Sequence, residues 1–367
     1  MKTLRSVLLA SALLLSPIAA APALAETAAA PAAANASEHD KLFALFAASD
    51  EARLKRNPLS ALFRGDMRYA DRLGDFLTPA YNEAERKAAS DELAALHAID
   101  RAKLSPTDRI AYDVFEYGRK QTLRGLTPEI LALTEVRPIN HFFGFHTFYP
   151  TLASGKTGIP FKTLTDYQNN LKRHEDYIRL IDRSIAKFRE GQKSGVVETK
   201  LTIRNVIEQL DTQLKQGVEQ SPYWEPVKAM PATFTPAQKK KLTAQYLVTT
   251  KRLFAANKRL RDYLANEYLA SARDSVGLSQ MKGGAALYAR QIENTTTLPL
   301  TADYLHELGL SEVTRIKGEM TKIMAEVGFK GTMAEFFEFI RTDPQFKRKS
   351  REEITQRYYD IGKMVDA

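Results

Sequence analysis

The amino-acid sequence predicts an all-α protein, a bundle-like array of many helices. Repeated helix-start signatures and apolar residues at three- and four-residue spacing support this prediction. Alternation of apolar and polar residues, which would indicate strands, is nearly absent. We expect the helical domain to cover residues 37–367, after a signal peptide at 1–25 and a flexible Ala/Pro-rich linker at 26–36.

The first 25 residues have the pattern of a secretory signal peptide. Lys2 and Arg5 precede the apolar stretch Val7–Ala21, and Ala23–Ala25 offers a small-x-small cleavage site. The apolar stretch is shorter than the roughly 20 residues that a spanning helix needs. Since the chain has no Cys, acylation through a cysteine is excluded. We expect a periplasmic or secreted protein that has no membrane anchor after cleavage.

The chain is basic, with a formal net charge of +9. Basic clusters such as 239–241 and 347–351 lie in helix-like surroundings rich in Ala, Leu and Tyr, which favours a solvated helix face over a nucleic-acid site. An exported protein also seldom meets nucleic acid, so we expect no such partner. The absence of Cys excludes disulfides, thiolate catalysis and Cys-ligated zinc. The sequence does not indicate an oligomeric state.

Four capping signatures predict where helices begin. In each, a Ser or Thr stands three residues before a side chain that completes the cap, and two have Pro at the first helical position. The signatures are Ser105-Pro106 with Asp108, Thr235-Pro236 with Gln238, Thr332 with Glu335, and Ser350 with Glu353.

Three segments carry helical periodicity: Tyr167–Phe188, Leu242–Tyr268 and Leu305–Val327. In the third segment we expect the apolar stripe to face the core. Its members are Leu305, Leu308, Val313, Ile316, Met320, Ile323, Met324 and Val327.

Two segments interrupt the helical pattern. Arg137–Gly158 combines two Pro and three Gly with five aromatic residues, which predicts a folded loop. Gly217–Phe234 contains the single Trp, Trp224, and predicts a long connection that could cross between subdomains. The sequence indicates no domain boundary within the helical region.

No complete motif for a metal, a nucleophile or a phosphate is present. Two His-Glu pairs, at 174–175 and 306–307, invite comparison with the zinc signature His-Glu-x-x-His. The second ligand is missing in both, because Ile178 and Leu310 occupy its place. We assign no metal ligand and no catalytic residue from the sequence.

His141 and His146 lie in the aromatic loop. Each ring either packs in the core or lines a pocket with its nitrogens available. The sequence favours packing without excluding the pocket.

Several segments together resemble the bacterial family called domain of unknown function 885. The similarity covers about residues 40–362. The segments that carry it are Asn57–Gly65, Arg68-Tyr69, Asp71–Asp75, Leu104–Tyr117, the loop around Asn140 and Gly144, and Gly283–Met320 with its His306–Leu310.

The resemblance implies the N-terminal portion of a helical zinc metallopeptidase-like hydrolase that acts on peptides. Family members carry their His-Glu zinc segment further downstream, so we expect no cofactor in this chain and no activity of the chain alone. Either a truncated gene product or a natural short form explains this, and truncation is favoured. Asn140, His146 and Tyr288 are the residues that we expect to line the substrate cleft. The alternative is an exported helical binding or interaction protein without catalysis.

Overall fold

The computed structural model describes residues 36–366 of the chain. The predicted signal peptide and nearly all of the predicted linker lie outside these residues, so both stay predictions. In chain order the helices are α1 (Glu38–Arg56), α2 (Pro58–Phe63), α3 (Pro79–His97), α4 (Pro106–Gly125), α5 (Pro128–Thr134), α6 (Phe145–Ala153), α7 (Leu164–Ser194), α8 (Lys200–Lys215), α9 (Glu225–Lys228), α10 (Pro236–Tyr263), α11 (Leu269–Ser271), α12 (Gly284–Thr296), α13 (Ala302–Glu326), α14 (Met333–Thr342) and α15 (Arg351–Val365).

The predicted all-α fold is confirmed. Across residues 36–366 the extended pairing is limited to an isolated parallel bridge between Thr199 and Arg273. Two predicted periodic segments coincide with the long helices α7 and α10, and α10 continues through the π-helical turn Leu264–Tyr268. None of the helices in the described part of the chain combines the length and apolarity needed to cross a bilayer.

The capping signatures lie where they were predicted. Ser105 and Thr235 accept backbone hydrogen bonds at the starts of α4 and α10, and Thr332 and Ser350 do so at the starts of α14 and α15. A cap of this kind stabilises a helix by about 1 kcal/mol. These four helix starts are therefore determined locally.

Helices α1, α3 and α4 form an antiparallel unit. Arg56 at the end of α1 pairs with Glu85 near the start of α3 (2.8 Å), and Glu92 of α3 pairs with Arg119 of α4 (2.9 Å). The apolar faces of the unit meet in a small core of Leu42, Leu96, Ile99, Leu104 and Tyr112.

Helices α7 and α10 run parallel through the centre of the structure. Three side-chain pairs join them, and the partners in each pair are 77 residues apart, which shows that the two helices stay in register. The pairs are Gln168 with Gln245 (3.1 Å), Glu175 with Arg252 (2.5 Å) and Asp182 with Arg259 (2.7 Å). Helix α8 returns antiparallel to α10, with Asp211 bonded to Arg261 (2.8 Å). Its first residue, Lys200, bonds to Asp274 in the chain that follows α11 (2.9 Å).

The chain between α2 and α3 is bound along α7. The Arg173 guanidinium donates to the carbonyl of Ala70, and the Asp176 carboxylate accepts from the backbone N–H of Leu73 (2.8 Å). These contacts hold α2 next to α6. One wall of the candidate site is placed in this way.

The predicted loop Arg137–Gly158 is wrong in part, because Phe145–Ala153 forms α6. Pro150 lies inside this helix, where Pro normally interrupts the hydrogen-bond ladder. The second predicted connection, Gly217–Phe234, packs its buried Tyr223 and Trp224 against the central helices.

The predicted core stripe of α13 is also wrong. The helix forms as expected, but Val313, Ile316 and Val327 are 49%, 41% and 61% exposed, and only its Met324 is buried. Periodicity predicted the amphipathic helix correctly and could not supply the partner that would cover it. Helices α13 to α15 therefore present an uncovered apolar face.

Gly191 allows α7 to approach two other backbone segments closely. A Cβ at this position would lie 2.7 Å from the carbonyl oxygen of Val196 and 2.9 Å from that of Val136. We expect Gly191→Ala to lower the free energy of unfolding by about 1–3 kcal/mol, since backbone must shift to admit the methyl group. Urea denaturation measures this value.

Gly118→Ala in α4 is the matched control, because no atom lies within 4 Å of the added Cβ. We expect this variant to gain up to about 1 kcal/mol from the better helix propensity of Ala. Equal effects of the two substitutions would contradict the close approach at Gly191.

Candidate functional site

A cavity of about 500 Å³ opens between α2, α6 and the loop at 137–144. We call it the aromatic groove. It is lined by Leu59, Phe63, Pro138, Asn140, Phe142, Phe143, Gly144, Phe145, Thr147 and Phe148. Concave apolar sites with a few polar groups are typical of ligand-binding pockets.

Asn140 fixes the loop that carries two of these rings. Its Oδ1 accepts hydrogen bonds from the backbone N–H groups of Phe142 (2.9 Å) and Phe143 (2.8 Å), and its own N–H donates to the carbonyl of Phe143 (2.9 Å). Asn is suited to such turns because its short side chain mimics a backbone acceptor. The predicted binding residue Asn140 thus lies in the groove wall, and its role in binding stays a prediction.

Phe142 and Phe143 are 74% and 78% exposed. Covering apolar surface is worth roughly 25 cal/mol per Å², so two rings held in water by a fixed turn favour any ligand that buries them. Phe148 extends the apolar wall, with ring centroids 6.0 Å from Phe63 and 5.9 Å from Phe145. The groove suits an apolar or aromatic group. None of its lining side chains is a carboxylate, an imidazole or a thiol.

Gln209 and Gln213, one turn apart on α8, form hydrogen bonds that hold the loop and the start of α6; we call this pair the glutamine clamp. The Gln209 Nε2 donates to the carbonyl of His141 (2.9 Å), and its Oε1 lies 2.9 Å from Nε2 of His146. The Gln213 Nε2 donates to the carbonyl of His146 (2.7 Å). His146, near the start of α6, is therefore held by hydrogen bonds to both its backbone carbonyl and its side chain.

The structure corrects the predicted place of His146. Its ring is completely buried under the loop instead of lining the cleft, and burial lowers the pKa of the imidazole. Because the amide oxygen of Gln209 can only accept, Nε2 of the neutral ring carries the proton. The packing alternative is the one that the structure supports.

Pro150 explains the contact between Gln213 and the backbone. In an α-helix the carbonyl of His146 would accept from the N–H of residue 150, but Pro has none. The Gln213 amide replaces that donor. Thus α8 supplies the hydrogen bond that α6 cannot make for itself.

We expect Gln213→Ala to destabilise the protein by about 1–3 kcal/mol, because a buried carbonyl loses its donor. Pro150→Ala restores an N–H at the missing position, so in the double variant the loss on removing Gln213 should fall to below about 1 kcal/mol. Urea unfolding of the four proteins gives the coupling energy. Strict additivity of the two changes would contradict this explanation.

His174, the first of the two His-Glu pairs, lies in the interior of α7. Its Nδ1 is 2.6 Å from the hydroxyl of Tyr149, and the rings of Tyr223 and Tyr246 stand edge-on, each with a centroid 5.9 Å away. The neighbouring Glu175 is engaged on the surface by Arg252 (2.5 Å). The two side chains therefore point to different environments and do not form half of a zinc site.

Burial lowers the pKa of His174 to about 3, with the positive charge of Arg173 as a smaller cause. In the unfolded chain the His174 imidazole binds a proton below its ordinary pKa of 6.5. In the folded chain the imidazole stays neutral until the pH falls to about 3. The stabilising contribution of the neutral ring is therefore complete above pH 6.5 and is lost as the pH falls from 6.5 towards 3.

We expect the free energy of unfolding to fall between pH 6 and pH 4 by up to about 1.4 kcal/mol per pH unit on account of this one residue. His174→Asn should remove that component and flatten the pH dependence, as measured by urea unfolding at several pH values. His306→Asn, at an exposed position on α13, is the control. Parallel curves for the wild type and His174→Asn would rule out the proposed linkage.

The third predicted site residue lies apart from the groove. Tyr288 is 46% exposed on α12, the helix that packs against α5. His306, from the second His-Glu pair, is exposed on α13. Across residues 36–366 no three side chains of His, Cys, Asp or Glu come close enough to hold a metal ion. Asn140 lines the groove and His146 is buried under the same loop, whereas Tyr288 lies on the separate helix α12.

Sequence reasoning missed the exposed rings and the glutamine clamp. The concentration of five aromatic residues in 137–158 was the signal for the rings. For Gln209 and Gln213 there was no comparable signal, since their partners lie more than sixty residues away in the sequence.

The fold resembles a crystal structure described as a "putative lipoprotein" from Colwellia psychrerythraea, with a TM-score of 0.69 and 19% sequence identity. The alignment covers 90% of this chain and 58% of that one, so the chain spans less than two thirds of its structural relative. At this identity the likeness concerns the fold alone. No curated protein matches the chain in sequence. The bacterial protein family of unknown function DUF885 matches residues 58–367, and the chain belongs to this family, as its motifs predicted.

Proposed function

We propose that this chain is the peptide-binding helical part of an exported zinc metallopeptidase-like hydrolase and that it does not hydrolyse peptides alone. The observation that carries the proposal is the aromatic groove, where Asn140 holds Phe142 and Phe143 open to solvent. A peptide with an apolar side chain would bury these rings. The family resemblance supports peptides as the ligand class.

The zinc that the resemblance implies does not fit the described residues. Catalytic zinc sites take three protein ligands. Within the part of the chain that the structure describes, no such group of His, Cys, Asp or Glu side chains exists. We therefore assign no hydrolytic step to a residue of this chain, and we propose that the zinc-binding segment belongs to sequence outside these 367 residues.

The uncovered apolar face of α13 to α15 supports this second part of the proposal. Ile323, Tyr358 and Met364 are 49%, 74% and 65% exposed, a pattern typical of a surface that another helical unit covers. The structural relative extends beyond the part that this chain matches. Export is supported by the pattern of residues 1–25 and by the description of that relative as a lipoprotein.

The second candidate function is an exported helical binding protein without catalysis. It is favoured by the apolar lining of the groove, which offers binding surface and no acid, base or thiol. Both candidates require the groove to bind an apolar group. They differ in whether catalysis occurs in the wider protein.

We expect the wild-type chain to bind acetyl-Phe-Ala-Ala amide more tightly than acetyl-Ala-Ala-Ala amide in calorimetric titrations. Phe143→Ala should weaken binding of the first peptide about tenfold, which corresponds to about 1.4 kcal/mol and is typical of an aromatic side chain central to an interface. Phe337→Ala, at a half-exposed position of α14, should leave the affinity unchanged.

Equal affinities of the wild type and Phe143→Ala would sink the proposal that the groove binds peptide. Chromatography of the titrated mixture adds a second readout, since intact peptide is expected. Appearance of cleaved product from the purified chain would show that it hydrolyses peptides by itself and would overturn the assignment of catalysis to other sequence.

A further inference from the structure

A second concavity of about 500 Å³ lies beside the aromatic groove. We call it the polar cleft. It is lined by His141, Thr147, Asn205, Glu208, Gln209, Thr212 and Gln213. Where the groove is almost entirely apolar, the lining of this cleft is made of polar side chains.

The two concavities share a wall. Thr147 lines both, while the adjacent residues His141 and Phe142 line one each, with ring centroids 4.1 Å apart. The substituents on one Cα of a peptide point in different directions, so two of them can reach the two sides of such a wall from a single backbone position. A single short ligand can therefore occupy the groove and the cleft together.

One face of α8 provides the polar groups. Asn205, Glu208 and Thr212 are spaced three and four residues apart, so they project to the same side of the helix. None of the three side chains has a hydrogen-bond or ion-pair partner among residues 36–366, whereas Asp211 on the same helix is paired with Arg261. Glu208, an exposed side chain, is the one carboxylate that lines the cleft, and no cation lies within ion-pair distance of it among these residues.

We propose that the polar cleft binds the α-ammonium group of a peptide whose first side chain occupies the aromatic groove. The Glu208 carboxylate accepts hydrogen bonds from the ammonium group and balances its charge, and the side-chain oxygens of Asn205 and Thr212 are further acceptors. This inference rests on the proposed function, since it requires a peptide in the groove. It adds a selectivity for free amino termini.

The amino terminus suits this arrangement better than a lysine side chain. An α-ammonium group is attached to the same Cα as the first side chain, which matches two sites separated by one wall. A lysine ammonium stands at the end of a flexible four-carbon stem, and ordering that stem costs conformational entropy.

Calorimetric titration of the full chain with three peptides tests the inference: Phe-Ala-Ala amide, acetyl-Phe-Ala-Ala amide and acetyl-Phe-Lys-Ala amide. We expect the free-amine peptide to bind about fivefold more tightly than either acetylated peptide, the gain of a partly solvated ion pair. Glu208→Gln should remove this preference and leave the affinity for acetyl-Phe-Ala-Ala amide unchanged. Glu219→Gln, an exposed carboxylate outside the cleft, should keep the preference.

The pH dependence gives an independent readout. Because a terminal amine has a pKa of about 8, the preference of the wild type should disappear above about pH 9. The affinity of the acetylated peptide should not change over that range.

Three results would overturn the inference. Equal binding of free and acetylated Phe-Ala-Ala amides excludes an ammonium subsite, while the groove itself remains supported. A Glu208-dependent preference for the lysine peptide assigns the cleft to a side chain. Failure of all three peptides to bind, or insensitivity of their binding to Phe143→Ala, removes the proposed function and this inference with it.

Discussion

A buried polar network joins α6, α7 and α10 and fixes how these three helices pack against one another. Its hydrogen bonds join Tyr149 to His174 (2.6 Å), Asn170 to Tyr246 (3.0 Å) and Tyr177 to Asn257 (2.8 Å). A buried polar group that loses its partner costs about 1–3 kcal/mol. Sliding α10 along α7 by one turn would break the two bonds that join these helices, those of Tyr246 and Asn257. The parallel register of the two helices follows from this constraint.

The same network positions both walls of the aromatic groove. Tyr149 is part of α6, so its bond to His174 ties one wall to α7, and its ring also stacks on Tyr177 with centroids 4.5 Å apart. The opposite wall is tied to α7 through Arg173 and its contact with the chain after α2. Both walls are attached to the same helix, α7. The groove is therefore preorganised, and its shape does not depend on a ligand.

The sequence predicts the features that depend on neighbouring residues. It does not predict the features that depend on residues far away in the chain. The start of α10 follows from the capping box that Thr235 forms with Gln238, three residues later. The all-α class follows from the helical periodicity of the apolar residues. Helix α6 lies within the predicted loop, because the donor that replaces the N–H missing at Pro150 comes from the distant helix α8. For His146 the sequence leaves both a packed and a cleft-lining ring open, because its hydrogen-bond partner Gln209 is 63 residues away. For α13 the apolar spacing correctly predicts an amphipathic helix, but it does not indicate which surface would cover the apolar face.

The two apolar surfaces of the molecule differ in shape and in how firmly the structure holds them. The aromatic groove is concave, and its backbone donates hydrogen bonds to the Asn140 side chain and accepts one from Gln213, which suits a small ligand. The face of α13 to α15 is spread over helices with few partners, which suits another helical unit that buries an amphipathic face. A hydrolase assembled on both surfaces would hold its substrate with this chain and bring the reacting groups from the covering unit. Under this proposal the zinc ligands would also come from the covering unit, because no three side chains of His, Cys, Asp or Glu come close enough to hold a metal ion among residues 36–366.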